Sequence, residues 1–354
     1  MLDDLWLLLG FGLCLGLLFG VFSRSRFSTR FRGLDLNSLT HVQRILVINL
    51  GSMKKVLHML PMVYDLKIKY PSAIITIVVE EWFVDLLKAP EGIHVLPCGM
   101  RRWKALLKWG KFIQVYQGLS RFYTDMHAYR YDLIFNISRR PVARLLAYAC
   151  QKSRGLLIDN YTGENAHPVQ VYREMVRHNA YLYRDFLLSG IPQFYPKIVK
   201  YNPRKYVIFF HTSRDERKSW PMENWIALAK ALARKDSTLT MVLSWGTAKE
   251  KIMCNDLANQ MPNAFVPDAI SFKEFFNIIL QAKLIVGIDT GLTHLAIALN
   301  CPTLLLYTAT RKAPLEGFWN PYFRSIGDHK TPAAVSAAIM DVHALLNFNR
   351  HNYW

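Results

Sequence analysis

Acid is what this chain most lacks. Against 44 lysines and arginines stand 26 aspartates and glutamates, a formal net charge of +18 over 354 residues. Such a balance predicts anionic company: nucleic acid, an anionic membrane face or an acidic substrate. Nucleic acid is disfavoured, because the cations fall in no known nucleic-acid module and no repeat or zinc-knuckle spacing appears. Cysteine is scarce and scattered. Cys14, Cys98, Cys150, Cys254 and Cys301 are odd in number and form no CxxC pair, and they read as reduced, buried thiols in a cytosol-facing protein. No GxGxxG follows an apolar strand, which sets aside a dinucleotide-dependent enzyme. No DxD-type metal motif is present either. Chemistry on a diphosphate would then draw on backbone amides and lysine or arginine, with no metal site and no cofactor expected.

One long uncharged run is present. Leu5–Phe22 is almost wholly apolar and long enough to span a bilayer. Asp3 and Asp4 precede it, and Arg24, Arg26, Arg30 and Arg32 follow at once. A secretory signal would begin basic and end in small residues at a cleavage site; this run does neither. Residues 1–33 are therefore expected to be a single-pass anchor with a basic flank. The positive-inside rule puts the body in the cytoplasm. Gly12, Gly16 and Gly20 make a small-residue stripe, which serves helix contact or reflects the ordinary glycine content of membrane helices.

After a polar linker at 34–43, apolar runs alternate with amphipathic stretches, the βαβ pattern of parallel sheets. Strands are expected at Ile45–Leu50, Ile74–Glu80, His94–Cys98 and Tyr131–Ser138, with a long basic helix over 101–130. A helix over Val171–Leu188 ends at Gly190-Ile191-Pro192, and 196–205 reads as a second linker. The pattern then restarts. Strands are expected at Val207–His211, Leu239–Leu243, Leu284–Ile288 and Thr303–Tyr307. Helices are expected at Glu223–Lys235, Ala248–Gln260, Phe272–Ala282 and Ser336–Phe348. Asp289-Thr290-Gly291-Leu292-Thr293-His294-Leu295 joins a buried strand to a small-residue helix. A tight turn there aims several backbone N–H groups and a helix dipole at one point, which favours a diphosphate. The same turn would equally serve as a plain Asp cap on a core helix.

Eight short pieces carry a resemblance. They are Ile45-Leu46-Val47-Ile48-Asn49-Leu50-Gly51-Ser52-Met53, Val56-Leu57-His58-Met59-Leu60-Pro61, Val79-Glu80-Glu81-Trp82-Phe83, Arg101-Arg102-Trp103-Lys104, His211-Thr212-Ser213, Lys218-Ser219-Trp220-Pro221, Trp245-Gly246 and the Asp289 motif. In this order they resemble glycosyltransferase family 9, the bacterial ADP-heptose:lipopolysaccharide heptosyltransferases, and most of all its heptosyltransferase I branch. The resemblance implies an α/β GT-B fold of two Rossmann-like domains, here preceded by one N-terminal transmembrane helix. Residues 44–195 would bind the acceptor and 205–330 the nucleotide sugar, and a helix within 331–354 would pack back on the first domain. It implies an inverting transfer of heptose, or a related sugar, from a nucleotide diphosphate to an inner-core Kdo-lipid A acceptor. The partners are then a nucleotide sugar, an anionic lipid acceptor and the membrane.

By the resemblance, Ser213, Lys218, the amides of Thr290, Gly291 and Leu292, and the Thr290 hydroxyl would hold the donor phosphates. Glu250 would touch the adenosine, Trp245 would shape its pocket, and Asp289 and His294 would orient the turn. Each has a plainer role open to it: a solvated loop lysine at 218, a strand-end hydroxyl at 213, a surface helix acid at 250, a core tryptophan at 245, a satisfied buried histidine at 294. On the acceptor side, Lys54, Lys55, Arg101, Arg102, Lys104, Arg139 and Arg140 suit phosphate and carboxylate. Trp103, Trp109, Phe112 and Tyr116 interleave with the cations of the first basic helix, as at a membrane interface. The family's proposed base, an aspartate after glycine, is replaced here by Lys54-Lys55, and its Asp-x-Gln-Gly by Asn136-Ile137-Ser138-Arg139. A protonated lysine takes no proton. The base is then His58, Glu80, Glu81 or Asp125, or the acceptor differs, or the protein is a silent relative that binds lipid or assembles a glycan-synthesis complex.

Overall fold

A computed structural model gives the fold. It describes residues 39, 41–84, 87, 91–138, 140–151, 156–159, 167–176, 204–269, 271–310, 317 and 320–347. The expected anchor at 1–33, Arg139, most of the second linker and the end of the helix expected over 171–188 lie outside these residues. No helix among the described residues is long and apolar enough to cross a membrane. Contacts divide the chain into two units. One holds the described parts of 1–51, 62–162 and 171–179, the other those of 52–61, 163–170 and 180–354.

The first unit is built on β1 (Arg44–Asn49), α1 (Met53–Lys69), β2 (Ile74–Glu80), β3 (Ile93–Cys98), α2 (Met100–Lys108), α3 (Phe112–His127), β4 (Leu133–Asn136), α4 (Pro141–Gln151), β5 (Leu156–Asp159) and α5 (Pro168–Val176), although the opening turns of α1 and α5 group with the second unit. The five strands are parallel, in the order β3-β2-β1-β4-β5. β1, β2 and β4 are buried along nearly their whole length, as expected of strands covered on both faces. Pro97 sits on the edge strand β3, where a missing N–H does least harm.

The long basic helix expected over 101–130 is two helices. Gly110 adopts φ +65°, a left-handed conformation that glycine takes at no steric cost, and it ends α2. Trp103 also departs from expectation. It is buried rather than interfacial, packed edge-on against Phe122 at 5.7 Å between rings, because it faces the seam between α2 and α3. A buried ion pair ties α5 to α1: Arg173 Nε donates to Asp65 Oδ2 at 2.6 Å and Nη2 to Oδ1 at 3.2 Å.

The second unit runs β6 (Arg204–Phe210), α6 (Met222–Lys235), β7 (Thr240–Leu243), α7 (Ala248–Ala258), β8 (Ala264–Phe265), α8 (Phe272–Gln281), β9 (Ala282–Ile288), α9 (Gly291–Ala298), β10 (Thr303–Leu306), β11 (Phe323–Ile326) and α10 (Val335–Leu346). Its six strands are parallel, in the order β11-β10-β9-β6-β7-β8. Both units are thus Rossmann-like, the pair of folds that GT-B combines. β5, β8 and β11 have no counterpart in the sequence expectation; each is only two to four residues long. The helix expected to pack back on the first domain is α10. Its Ala338, Val342 and Leu345 are buried in the second unit's core, beside α6 and β9–β11. Its small and branched residues fit that layer.

Candidate functional site

In each sheet the strand order reverses direction at one point, between β1 and β4 in the first and between β6 and β9 in the second. Loops leaving the carboxyl ends of such neighbouring strands diverge and open a crevice, where ligands of α/β sheets bind.

The second crevice is floored by the turn after β9. Thr290 is the N-cap of α9. Its hydroxyl lies 3.2 Å from that of Thr293, which donates to the Ile288 carbonyl at 2.7 Å. A side chain at Gly287 would run into Thr293, so the helix can settle onto β9 only over glycine. Gly291 and Leu292 open α9, with their amides at its positive end.

Asp289 is the electrostatic centre. Lys218 Nζ donates to its carbonyl at 3.1 Å and to its carboxylate Oδ2 at 3.0 Å. His294 Nε2 lies 2.7 Å from Oδ1, and Lys54 Nζ 4.0 Å from the same oxygen. Burial works against the charge of this carboxylate. The hydrogen bond and charge of His294, the charge of Lys54 and the hydrogen bond from Lys218 outweigh it and hold its pKa well below the usual range. An ionised carboxylate only accepts, so His294 carries its proton on Nε2.

Lys218 is placed by its neighbours. It ends a short 3₁₀ turn over Glu216–Lys218, capped by Asp215. Two residues on, Trp220 is buried, donates from Nε1 to the Ala333 carbonyl at 2.8 Å and meets Trp225 edge-on at 5.1 Å. Such aromatic pairs add about 0.5–1.5 kcal/mol beyond their burial. The tryptophan therefore pins the loop, and Pro221 starts α6 at once. Ser213 Oγ accepts from the Asp215 N–H at 3.1 Å and so shapes the same loop.

Trp245 and Glu250 follow β7, the next strand along. Trp245 donates to the Pro267 carbonyl at 2.7 Å and carries Lys251 Nζ 4.9 Å from its ring centre. Glu250 Oε2 accepts from the Gly246 N–H at 2.8 Å, while its own N–H goes to Thr247 Oγ1 at 3.2 Å, so its carboxylate supports the start of α7. All nine expected donor residues thus leave the carboxyl ends of three adjacent strands, β9, β6 and β7.

Around the first unit's crevice, Asn49 and Asn136 end β1 and β4 in the same way. Each is buried, and each accepts a backbone N–H two residues on, from Gly51 at 3.0 Å and from Ser138 at 3.2 Å. Glu80 ends β2 fully buried. Its Oε2 accepts the Arg101 N–H at 3.4 Å, and Arg140 reaches within 3.8 Å of Oε1. Burial raises its pKa; the Arg101 hydrogen bond and the charges of Arg101 and Arg140 oppose that rise. Glu81 pairs with Arg102 at 3.3 Å. These two acids thus arrange the arginines expected on the acceptor side, with Lys104 one turn further along α2.

The base candidates separate. Asp125 is exposed near the end of α3, which returns the chain to the amino end of β4, the wrong edge of the sheet. It is removed. His58 is buried, 4.7 Å from the ring of His167 and 6.2 Å from that of His294. Lys55 is exposed in the first turn of α1, so the burial that turns a lysine into a base is lacking there. The sequence expectation missed His167. Its Nδ1 accepts the Val169 N–H at 3.3 Å, and no local pattern in the sequence marks it.

Residues 130–331, more than half of the chain, match the model of glycosyltransferase family 9 (heptosyltransferase). The chain belongs to glycosyltransferase family 9. With the family comes the enzyme class, a transferase. Lipopolysaccharide heptosyltransferase 1 of Pseudomonas aeruginosa is 27% identical over 311 residues, 80% of this chain and 82% of that protein. Its namesake from Escherichia coli K12 is 25% identical over 302 residues, 78% and 91% of the two chains. The fold is that of E. coli heptosyltransferase WaaC, solved with ADP-2-deoxy-2-fluoro heptose. The TM-score is 0.66 at 22% identity, over 85% of this chain and 99% of that one.

Proposed function

We propose that this family 9 member moves heptose, or a closely related sugar, from an ADP-linked donor to an anionic inner-core lipid of the Kdo-lipid A type, inverting the anomeric centre. The observation that carries the reading is the turn Asp289-Thr290-Gly291-Leu292 with Lys218 beside it, where the strand order reverses. In the transfer, the acceptor hydroxyl attacks the anomeric carbon and gives up its proton to a base among His58, Glu80 and Glu81, while the bond to the diphosphate breaks and ADP leaves. The amides at the head of α9 and the ammonium of Lys218 would take the growing phosphate charge. Trp245 and Glu250 would border the adenosine. Arg101, Arg102, Lys104 and Arg140, arranged by Glu80 and Glu81, would hold acceptor phosphate and carboxylate. No cofactor enters. The sequence of 5–22, with its arginine flank, supports a single-pass anchor at the bacterial inner membrane with the body in the cytoplasm.

A second reading rests on Lys55 at the family's base position: a relative that binds donor and lipid without transfer, or one that uses another acceptor. Incubating the purified protein with ADP-heptose and Kdo2-lipid A and weighing the lipid decides between them. A gain of one heptose supports transfer. No gain, with ADP still bound, supports the second reading.

A further inference from the structure

We propose that the hairpin of α2 and α3 is a docking surface for an anionic lipid bilayer, a second membrane contact that the body makes independently of residues 5–22 and of the sugar transferred. Seven consecutive residues at its tip, Lys108 to Gln114, are exposed. Among them Trp109 is 80%, Phe112 60% and Ile113 74% exposed, and Tyr116 follows at 45%. Three large apolar side chains within five residues, all in water, make a patch that a soluble protein rarely keeps without a partner.

Charge names the partner. From Met100 to His127 the hairpin carries Arg101, Arg102, Lys104, Lys108, Lys111 and Arg121 against a single acid, Asp125, near its far end. A protein partner that fitted this face would have to be both acidic and apolar. A bilayer with anionic headgroups over its acyl chains is both by construction.

The geometry is layered to match. Trp109, Gly110, Lys111, Phe112 and Ile113 form the apex, turned by the left-handed Gly110. Lys108 precedes it and Lys111 lies within it, where long side chains lift their charge toward the headgroups while the rings go deeper. Between the two helices runs a groove of about 310 Å³, lined among others by Arg102, Arg121, Gln114 and Gln117. Arg102 is seven residues from Trp109, about 10 Å along the helix at 1.5 Å per residue. With the apex sunk about 5–10 Å into the interface, the groove lies at headgroup depth, and the Arg121 guanidinium on its wall suits a lipid phosphate.

The test is hydrogen exchange of the full chain in nanodiscs of phosphatidylglycerol with phosphatidylcholine, against discs of phosphatidylcholine alone. The amides of 108–114 should exchange more slowly in the anionic discs. Lys108→Gln and Lys111→Gln should each weaken that protection by about fivefold, the worth of one cation near an anionic surface. Trp109→Ser with Phe112→Ser and Ile113→Ser should abolish it and leave ADP affinity unchanged. Because these side chains are exposed, the fold should survive, and ADP binding checks that it does. Equal exchange in both discs overturns the proposal. So does protection that grows with protein concentration in lipid-free amphipol, which would assign the face to a second copy of the chain.

Discussion

Replacing Lys218 by alanine tests the donor site most directly. Its side chain is 23% exposed, and its ammonium is shared between the carbonyl and the carboxylate of Asp289. Removing it leaves that carboxylate with His294 at 2.7 Å and Lys54 at 4.0 Å. The acid keeps partners, so the loss of folding stability should be small, about 1 kcal/mol at most. The cost to a bound diphosphate is larger. A charge-assisted hydrogen bond is worth about 1.5–3 kcal/mol, which is about 12- to 160-fold in Kd. Asp289 adds to the loss, because its negative charge then faces the phosphate with one cation fewer between them. Titration calorimetry with ADP, AMP and adenosine should give a loss that grows with phosphate number, with adenosine unchanged. An equal loss for all three ligands would mean that Lys218 acts through the fold of its loop. An unchanged ADP affinity would remove it from the phosphate altogether. Combining Lys218→Ala with Asp289→Asn should give a non-additive result, since the two groups touch.

Three further outcomes are expected. Lys55→Asp, with Lys54→Gly where the loop needs a freer backbone, should raise heptose transfer by about 10²–10⁴-fold if a missing base is what limits it; unchanged or lower activity in the lipid-mass assay would send the search to His58, Glu80 and Glu81. Arg173→Ala removes both hydrogen bonds of the buried Arg173–Asp65 pair and should cost about 3–5 kcal/mol in urea unfolding, a loss that an exposed pair would not show. Asp289 has a folded pKa below its unfolded value, so its contribution is fully present above about pH 4 and is lost as pH falls through the depressed pKa. Asp289→Asn should therefore flatten the acid limb of stability, and a limb that kept its slope would refute the assignment.

The donor half was legible because its chemistry is local. Lys218, Trp220 and Pro221 are neighbours in sequence, and one short turn holds Asp289 through His294. The strands around them are continuous apolar runs. What escaped is non-local. No spacing announces that His167 lies against His58. The fate of Glu80 depends on Arg101 and Arg140, which reach it from two different segments. Asp125 looked like a base candidate until the direction of α3 put it at the wrong sheet edge. The hairpin was hidden by one residue: six cations and evenly spaced aromatics imitate a single amphipathic helix, and only the backbone of Gly110 shows the break. Trp103 and Trp109 are alike in composition and opposite in burial, because the turn between the helices sends one into the seam and leaves the other at the tip.

Lys54 and Lys55, which the resemblance sets against the family's glycine and aspartate, make better physical sense beside Asp289 than they do in the sequence. The first turn of α1 carries no acid, although that is where a helix dipole favours one. Each cation there works against the dipole by about 0.3–1 kcal/mol. Lys54 finds its compensation in the carboxylate of Asp289, 4.0 Å away. Lys55 stays exposed and adds its charge to the same neighbourhood. Where the family pattern would place an acid near the donor turn, this chain places positive charge and retains Asp289 to balance part of it. By the resemblance, such a substitution would remove a proton acceptor and at the same time strengthen the pull on an anion. A protein that had merely lost its chemistry would gain nothing from the second change. One that grips a more highly charged acceptor, or takes the proton by another route, would.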